Sequence, residues 1–188
     1  AQTADEIINN YITAKGGAEK LRSIKDLTMT GNLSTNGVQI PLSIKVLSGK
    51  GIRVEFSFNG MTGYQIVTDT QGWNFNPFMG QTAPEPMTED QVKDSQDQLD
   101  ATDDLLDYAA KGSTVEFQGK ETIEGVETYK LKLTTKTGKV KTMYISTQDN
   151  LLLKTVQTIK FNGQDVESES LFSNYKKVND IQMPFTTI

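Results

Sequence analysis

The chain has no histidine and no cysteine among its 188 residues. Their absence excludes Ser-His-Asp and Cys-His nucleophiles, imidazole or thiolate zinc sites, covalently attached haem and disulfides. Proline is scarce, at 5 residues, and aromatics make up 8%. Long apolar runs are missing as well. None exceeds the length of Leu151-Leu152-Leu153, far short of the ~18 residues that a membrane-spanning helix needs. Basic residues are outnumbered, 19 against 24 acidic, for a net charge of −5. A nucleic-acid binder needs a basic stripe to release counterions, so the acidic balance argues against that class. Carboxylate, Lys or Tyr chemistry, a hard-cation site, or binding without chemistry remain.

The length fits one domain, and a chain of this mass buries roughly 70% of its unfolded surface, enough for a core without staples. It opens at Ala1-Gln2-Thr3 with neither methionine nor leader. That suits an exported protein whose signal peptide has been removed, and equally a trimmed chain.

Residues 1–25 read as helical. Thr3 and Glu6 have capping-box spacing, Ile7, Ile8, Tyr11 and Ile12 share a face, and Gly16-Gly17 ends the helix. A second piece runs from Ala18 to Ser23. From Leu27 the hydrophobic period changes to two. Leu27, Met29, Gly31 and Leu33 alternate with polar residues, and so do Ile40, Leu42, Ile44, Val46 and then Ile52, Val54, Phe56, Phe58. Asn36-Gly37 and Asn59-Gly60 are hairpin turns. Pro41 falls on the polar side, which favours an edge or bulge at that point. This first strand block spans 26–80. A second one, 112–188, holds strands near 113–119, 126–135, 139–146, 151–161, 164–175 and 181–187, with turns at Gly125, Thr137-Gly138, Asp149-Asn150 and Asn162-Gly163. Clean alternation means one wet face, hence antiparallel pairing.

Between the blocks, 85–111 differs. Over 85–107, Glu85, Glu89, Asp90, Asp94, Asp97, Asp100, Asp103, Asp104 and Asp107 face Lys93 alone. Helix starts are predicted at Thr88, with Gln91 three residues on, and near Thr102-Asp103. The apolar stripe of Val92, Leu99, Leu105 and Leu106 is thin, which predicts a weakly docked acidic helical lid. The acids lack the alternating loop pattern of a calcium site, so no metal and no cofactor are expected. The lysines Lys130, Lys132, Lys136, Lys139 and Lys141 read as the wet face of a hairpin.

Two features point to ligand binding. The apolar faces of the second and third strands are covered by few helices, which leaves room for an apolar cavity. Trp73-Asn74-Phe75-Asn76-Pro77-Phe78-Met79 holds the lone Trp and two Phe beside a strand break. A strand ending at a turn is the plainer reading of that stretch.

Residues 67–78, Val67-Thr68-Asp69-Thr70-Gln71-Gly72-Trp73-Asn74-Phe75-Asn76-Pro77-Phe78, resemble the central signature of the LolA-type lipoprotein carriers. The opening Tyr11-Ile12-Thr13-Ala14-Lys15-Gly16-Gly17, with Leu21, Ile24 and Met29-Thr30-Gly31, is similar to LolA-like outer-membrane lipoprotein-sorting proteins. So is the stretch Gly119 to Leu131. The resemblance runs nearly the whole length. It implies a mainly β fold, an incomplete antiparallel β-barrel of about ten to eleven strands with an N-terminal helix and a central helical lid, forming a single domain over 1–188. It also implies a periplasmic monomer that carries acyl chains of lipoproteins, or free lipid, to the outer membrane without catalysis, between an inner-membrane release complex and an outer-membrane acceptor. The cavity residues it points to are Trp73, Phe75 and Phe78 with Ile44, Val54 and Phe56. Ile40, Leu42, Val46 and Phe58 join them from the strand pattern. The better-known carriers hold the lid with an arginine at the turn before the third strand. Here that turn reads Ser48-Gly49-Lys50-Gly51, with Lys50 and Arg53 as the nearby cations. Related folds also serve as lipid sensors and, occasionally, as cofactor-free enzymes; a structural envelope module with no ligand is the further alternative.

Overall fold

The computed structural model describes residues 2–161 and 164–188, so the predicted turn at Asn162-Gly163 lies outside the described residues. The chain begins with α1 (Ala4–Lys15) and α2 (Ala18–Arg22), followed by β1 (Asp26–Thr35), β2 (Val38–Leu47), β3 (Gly51–Phe58), β4 (Met61–Thr68), β5 (Gly72–Phe75) and β6 (Glu85–Pro86). Then come α3 (Glu89–Asp94), β7 (Thr114–Ile123), β8 (Val126–Thr134), β9 (Val140–Ser146), β10 (Leu152–Phe161), β11 (Gln164–Val178) and β12 (Ile181–Thr187). The fold is mostly β, in two open six-stranded antiparallel sheets ordered β1 to β6 and β12 to β7. No helix of the described residues is long and apolar enough to cross a membrane. The chain divides into two compact units, Ser23–Asp103 and Ala1–Arg22 with Asp104–Ile188.

In the unit Ser23–Asp103, the hairpins form where asparagine and glycine supply left-handed backbone. φ is 49° and 78° at Asn36-Gly37, and 48° and 77° at Asn59-Gly60, the geometry of the tight turn that matches strand twist. Pairing of β2 with β3 runs from Leu47↔Gly51 to Leu42↔Phe56 and stops there. Pro41 is the next residue, so its missing N–H costs no ladder bond, and the edge reading holds locally. Past this point the β1–β2 and β3–β4 hairpins continue separately.

The core of this unit is Val46, Ile52 and Val67 under Val92, Leu99 and Ala101, with Ile24, Leu27, Ile44, Val54 and Met87 packed around them. α3 starts as the sequence predicts: Thr88 Oγ1 accepts from the Gln91 N–H (3.3 Å), and Gln91 Oε1 accepts from the Thr88 N–H (2.9 Å). The expectation of a weakly docked lid is corrected at all four of its residues: Val92 and Leu99 are buried in this unit, and Leu105 and Leu106 are buried in the other. The helix predicted near Thr102-Asp103 is also corrected; residues 104–112 are turns. Asp100 Oδ1 accepts from both the N–H and the hydroxyl of Thr102 (2.9 and 2.6 Å), a local turn that competes with helix initiation.

In the other unit α1 reaches both edge strands of its sheet, β7 and β12. Its capping box forms at Thr3 and Glu6. Ile7, Ile8, Tyr11 and Ile12 are buried, as are Leu131, Leu133, Met143 and Ile145 on the sheet and Leu105 and Leu106 in the turns. The lysines are tied down on exposed or half-exposed ion pairs: Lys120–Glu127 (2.9 Å), Lys130–Glu121 (3.0 Å), Lys154–Glu169 (2.9 Å) and Lys141–Asp104 (2.5 Å).

Candidate functional site: an apolar sheet face

The register fixes which side chains share a face. Leu33↔Ile40, Gly31↔Leu42, Met29↔Ile44 and Leu27↔Val46 pair across β1 and β2. Leu42↔Phe56, Ile44↔Val54 and Val46↔Ile52 pair across β2 and β3. Phe56↔Gly63, Phe58↔Met61, Val54↔Gln65 and Ile52↔Val67 extend the face to β4. Of the β1–β4 residues that this register places on the face, none is ionisable; Gln65↔Asn74 and Asn74↔Glu85 carry the face on to one carboxylate at β6.

One half of the face is closed. Val46 is buried, and Ile44 and Val54 pack on the core that Val92 and Leu99 cover. The other half is open. Leu33 is 52% exposed, Met61 43%, Met29 40% and Phe58 36%. Ile40, Leu42 and Phe56 are half-buried. Phe78 joins this half. Its ring centroid lies 5.7 Å from that of Phe56 and 6.4 Å from that of Phe58, within the range for favourable ring contact. Asn76-Pro77 makes the approach possible: proline opens a short 3-10 turn at Pro77–Met79 that leaves the plane of the strands. Asn76 Oδ1 is buried without a hydrogen-bond partner.

Two predicted cavity residues do not share this face. Trp73 pairs with Ile66, and Phe75 with Tyr64. Ile66 pairs with Arg53 and Tyr64 with Glu55, so all of them occupy the opposite side of the sheet. There the Phe75 and Tyr64 rings lie 5.5 Å apart, and the Arg53 guanidinium sits 4.6 Å from the Tyr64 ring. Arg53 also donates to Glu55 Oε2 (2.8 Å), which places this cation on its own sheet. A depression of about 380 Å³ on this side is lined by Lys45, Leu47, Arg53 and Ile66.

Leu105 and Leu106 belong to the other unit. They line a groove of about 550 Å³ with Ile8, Ile12, Arg22 and Tyr108. Arg22 donates twice to Asp107 (2.7 Å each), and these bonds hold the Asp107 carboxyl below the ordinary carboxylate range. Tyr108 donates to Asp5 (2.7 Å), which raises the phenol.

Two open, helix-poor antiparallel sheets give this chain the fold of LolA-like proteins. Its whole length is similar to a LolA superfamily protein from Nitrosomonas europaea, covering 84% of that chain at 12% identity and a TM-score of 0.55. It is likewise similar to an outer membrane lipoprotein-sorting protein domain from Vibrio parahaemolyticus, over 97% of this chain and 82% of that one, at 14% identity and a TM-score of 0.55. A DUF1329 family protein from Desulfovibrio piger matches over 98% and 84% of the two chains, at 14% identity and a TM-score of 0.50. No protein-family model matches the chain. No curated protein matches it either.

Proposed function

We propose that the chain is a non-catalytic carrier for acyl chains, taken from lipoproteins or as free lipid, and that it works in the bacterial periplasm between the inner and outer membranes. On this reading both units act as one LolA-like domain. The observation that carries it is the open half of the apolar face, where Met29, Leu33, Phe58 and Met61 remain exposed beside Phe56 and Phe78. Exposed apolar side chains gathered on one face of a folded chain mark a binding site. The β1–β4 part of that face carries no ionisable group, which favours hydrocarbon there; the one carboxylate that the register brings to the face, Glu85, lies at its far end on β6.

Magnitudes suit transient holding. Burial is worth about 0.8 kcal/mol per methylene, so a fully enclosed sixteen-carbon chain would be held by roughly 12 kcal/mol. A half-open face buries only part of it, which permits release. Binding of a fluorescent fatty-acyl probe tests the reading. Leu33→Glu and Phe58→Glu each put a carboxylate where hydrocarbon would lie and are expected to weaken binding at least about tenfold. Trp73→Ala, on the other side of the sheet, leaves it unchanged. Equal probe affinity in all three variants and the parent chain, with circular dichroism intact, would overturn the carrier.

A further inference from the structure

β1 ends its sheet. It pairs with β2 from Asp26↔Leu47 to Thr35↔Val38, and no strand of the described residues pairs with its other side. In an antiparallel strand, alternate residues turn N–H and C=O away from the partner. β1 therefore carries a row of main-chain donors and acceptors with no strand to meet them. All residues from Thr28 to Thr35 are exposed.

Natural edges are blunted by lysine, proline, bulges or short length. β1 has 10 residues, no charge after Asp26, no proline and an unbroken register. It also bears Met29 and Leu33 of the open apolar face, so a strand added here would lie directly beside any hydrocarbon held there.

We propose that the β1 edge accepts an extended, uncharged peptide as an added strand, and that this peptide is the polypeptide continuation of an acylated cargo; the proposal rests on the carrier reading. Main-chain pairing needs no particular sequence, so one edge would serve cargoes that differ in side chains. Charge disfavours a second copy of this chain in that place. Ser23–Asp103 holds 10 carboxylates against 5 cationic side chains, and a copy would bring the same excess to the edge. An uncharged segment brings none.

The test uses the intact chain and synthetic probes. The first is an N-palmitoylated peptide of about ten uncharged residues. Two more are the same peptide N-methylated at the odd or at the even positions. The last is palmitoyl-glycine amide, which carries the acyl group alone. The peptide is expected to bind about tenfold tighter than palmitoyl-glycine amide, as several main-chain bonds add to the acyl contact. N-methylation of one alternate set erases the gain and of the other set leaves it, because an edge strand pairs on one side only. Hydrogen exchange of the β1 amides slows when the peptide is bound. Equal binding of all four probes with unchanged β1 exchange overturns the edge site and leaves the carrier standing. Failure of palmitoyl-glycine amide to bind overturns the carrier and this proposal with it. Protection of β1 that rises with protein concentration alone assigns the edge to a second copy and overturns the peptide.

Discussion

At the scale of single residues, the open face depends on a glycine. Gly63 lies opposite Phe56 in the β3–β4 register. A Cβ built there would stand 2.5 Å from two Phe56 ring carbons and 3.0 Å from the Phe75 carbonyl oxygen. The ring therefore occupies the space a Cβ would need at the glycine, and its centroid lies 5.7 Å from that of the Phe78 ring. Gly63→Ala is expected to cost about 1–3 kcal/mol through overpacking, because the backbone oxygen cannot yield as a flexible side chain would. A lowered urea midpoint with unchanged m-value would show it. An unchanged midpoint would mean the Phe56 ring swings aside freely, and the aromatic cluster is then not a fixed part of the face. The Phe56 position is plain in the sequence from its alternation with Arg53, Glu55 and Ser57. The need for glycine opposite it is not, since it arises only once β3 and β4 are paired.

At the scale of elements, the segment 85–103 shows what periodicity misses. Its apolar stripe is thin, and the weak docking expected from it counted side chains alone. The structure also docks it through polar groups. The Gly49 N–H donates to the Leu99 carbonyl (2.7 Å), the Ala101 N–H donates to Ser48 Oγ (3.2 Å), and the Gln96 amide donates to the Thr68 carbonyl (3.0 Å). Leu99 then sits in the core with Val46, Ile52 and Val67. Leu99→Ala is expected to destabilise the chain by about 2–5 kcal/mol, the range for emptying a buried leucine site. A loss below about 1 kcal/mol in denaturant titration would restore the weakly docked lid. The strands themselves were legible because period-two alternation and Asn-Gly turns act locally. The face of Trp73 and Phe75 was not. The four residues 68–71 set the pairing Val67↔Gly72, and this puts Gly72 and Asn74 on the apolar side. A register one residue different would have placed the indole there instead. Bulk and hydrophobicity suggested the indole for the cavity, but loop length decided against it.

At the scale of the whole molecule, charge is unevenly shared. The excess of 5 negative charges falls entirely between Ser23 and Asp103, and the rest of the sequence is balanced. The stretch proposed to hold hydrocarbon is thus the stretch that anionic lipid headgroups repel. The repulsion acts over a Debye length, about 10 Å at 0.1 M salt, and fades as salt rises. A carrier built this way would give up its load more readily to a neutral or basic acceptor than to an anionic bilayer. Stopped-flow transfer of a fluorescent acyl probe from the loaded chain to vesicles measures this. Transfer to phosphatidylcholine vesicles is expected to outpace transfer to vesicles containing phosphatidylglycerol at low salt, and the two rates should converge at high salt. Replacing Asp90, Asp94 and Asp97 with asparagine should narrow the gap at low salt while leaving probe affinity intact, since none of the three lies on the apolar face. Rates that ignore vesicle charge at every salt concentration would mean that the load leaves by diffusing through water, with the acidic segment taking no part in its release.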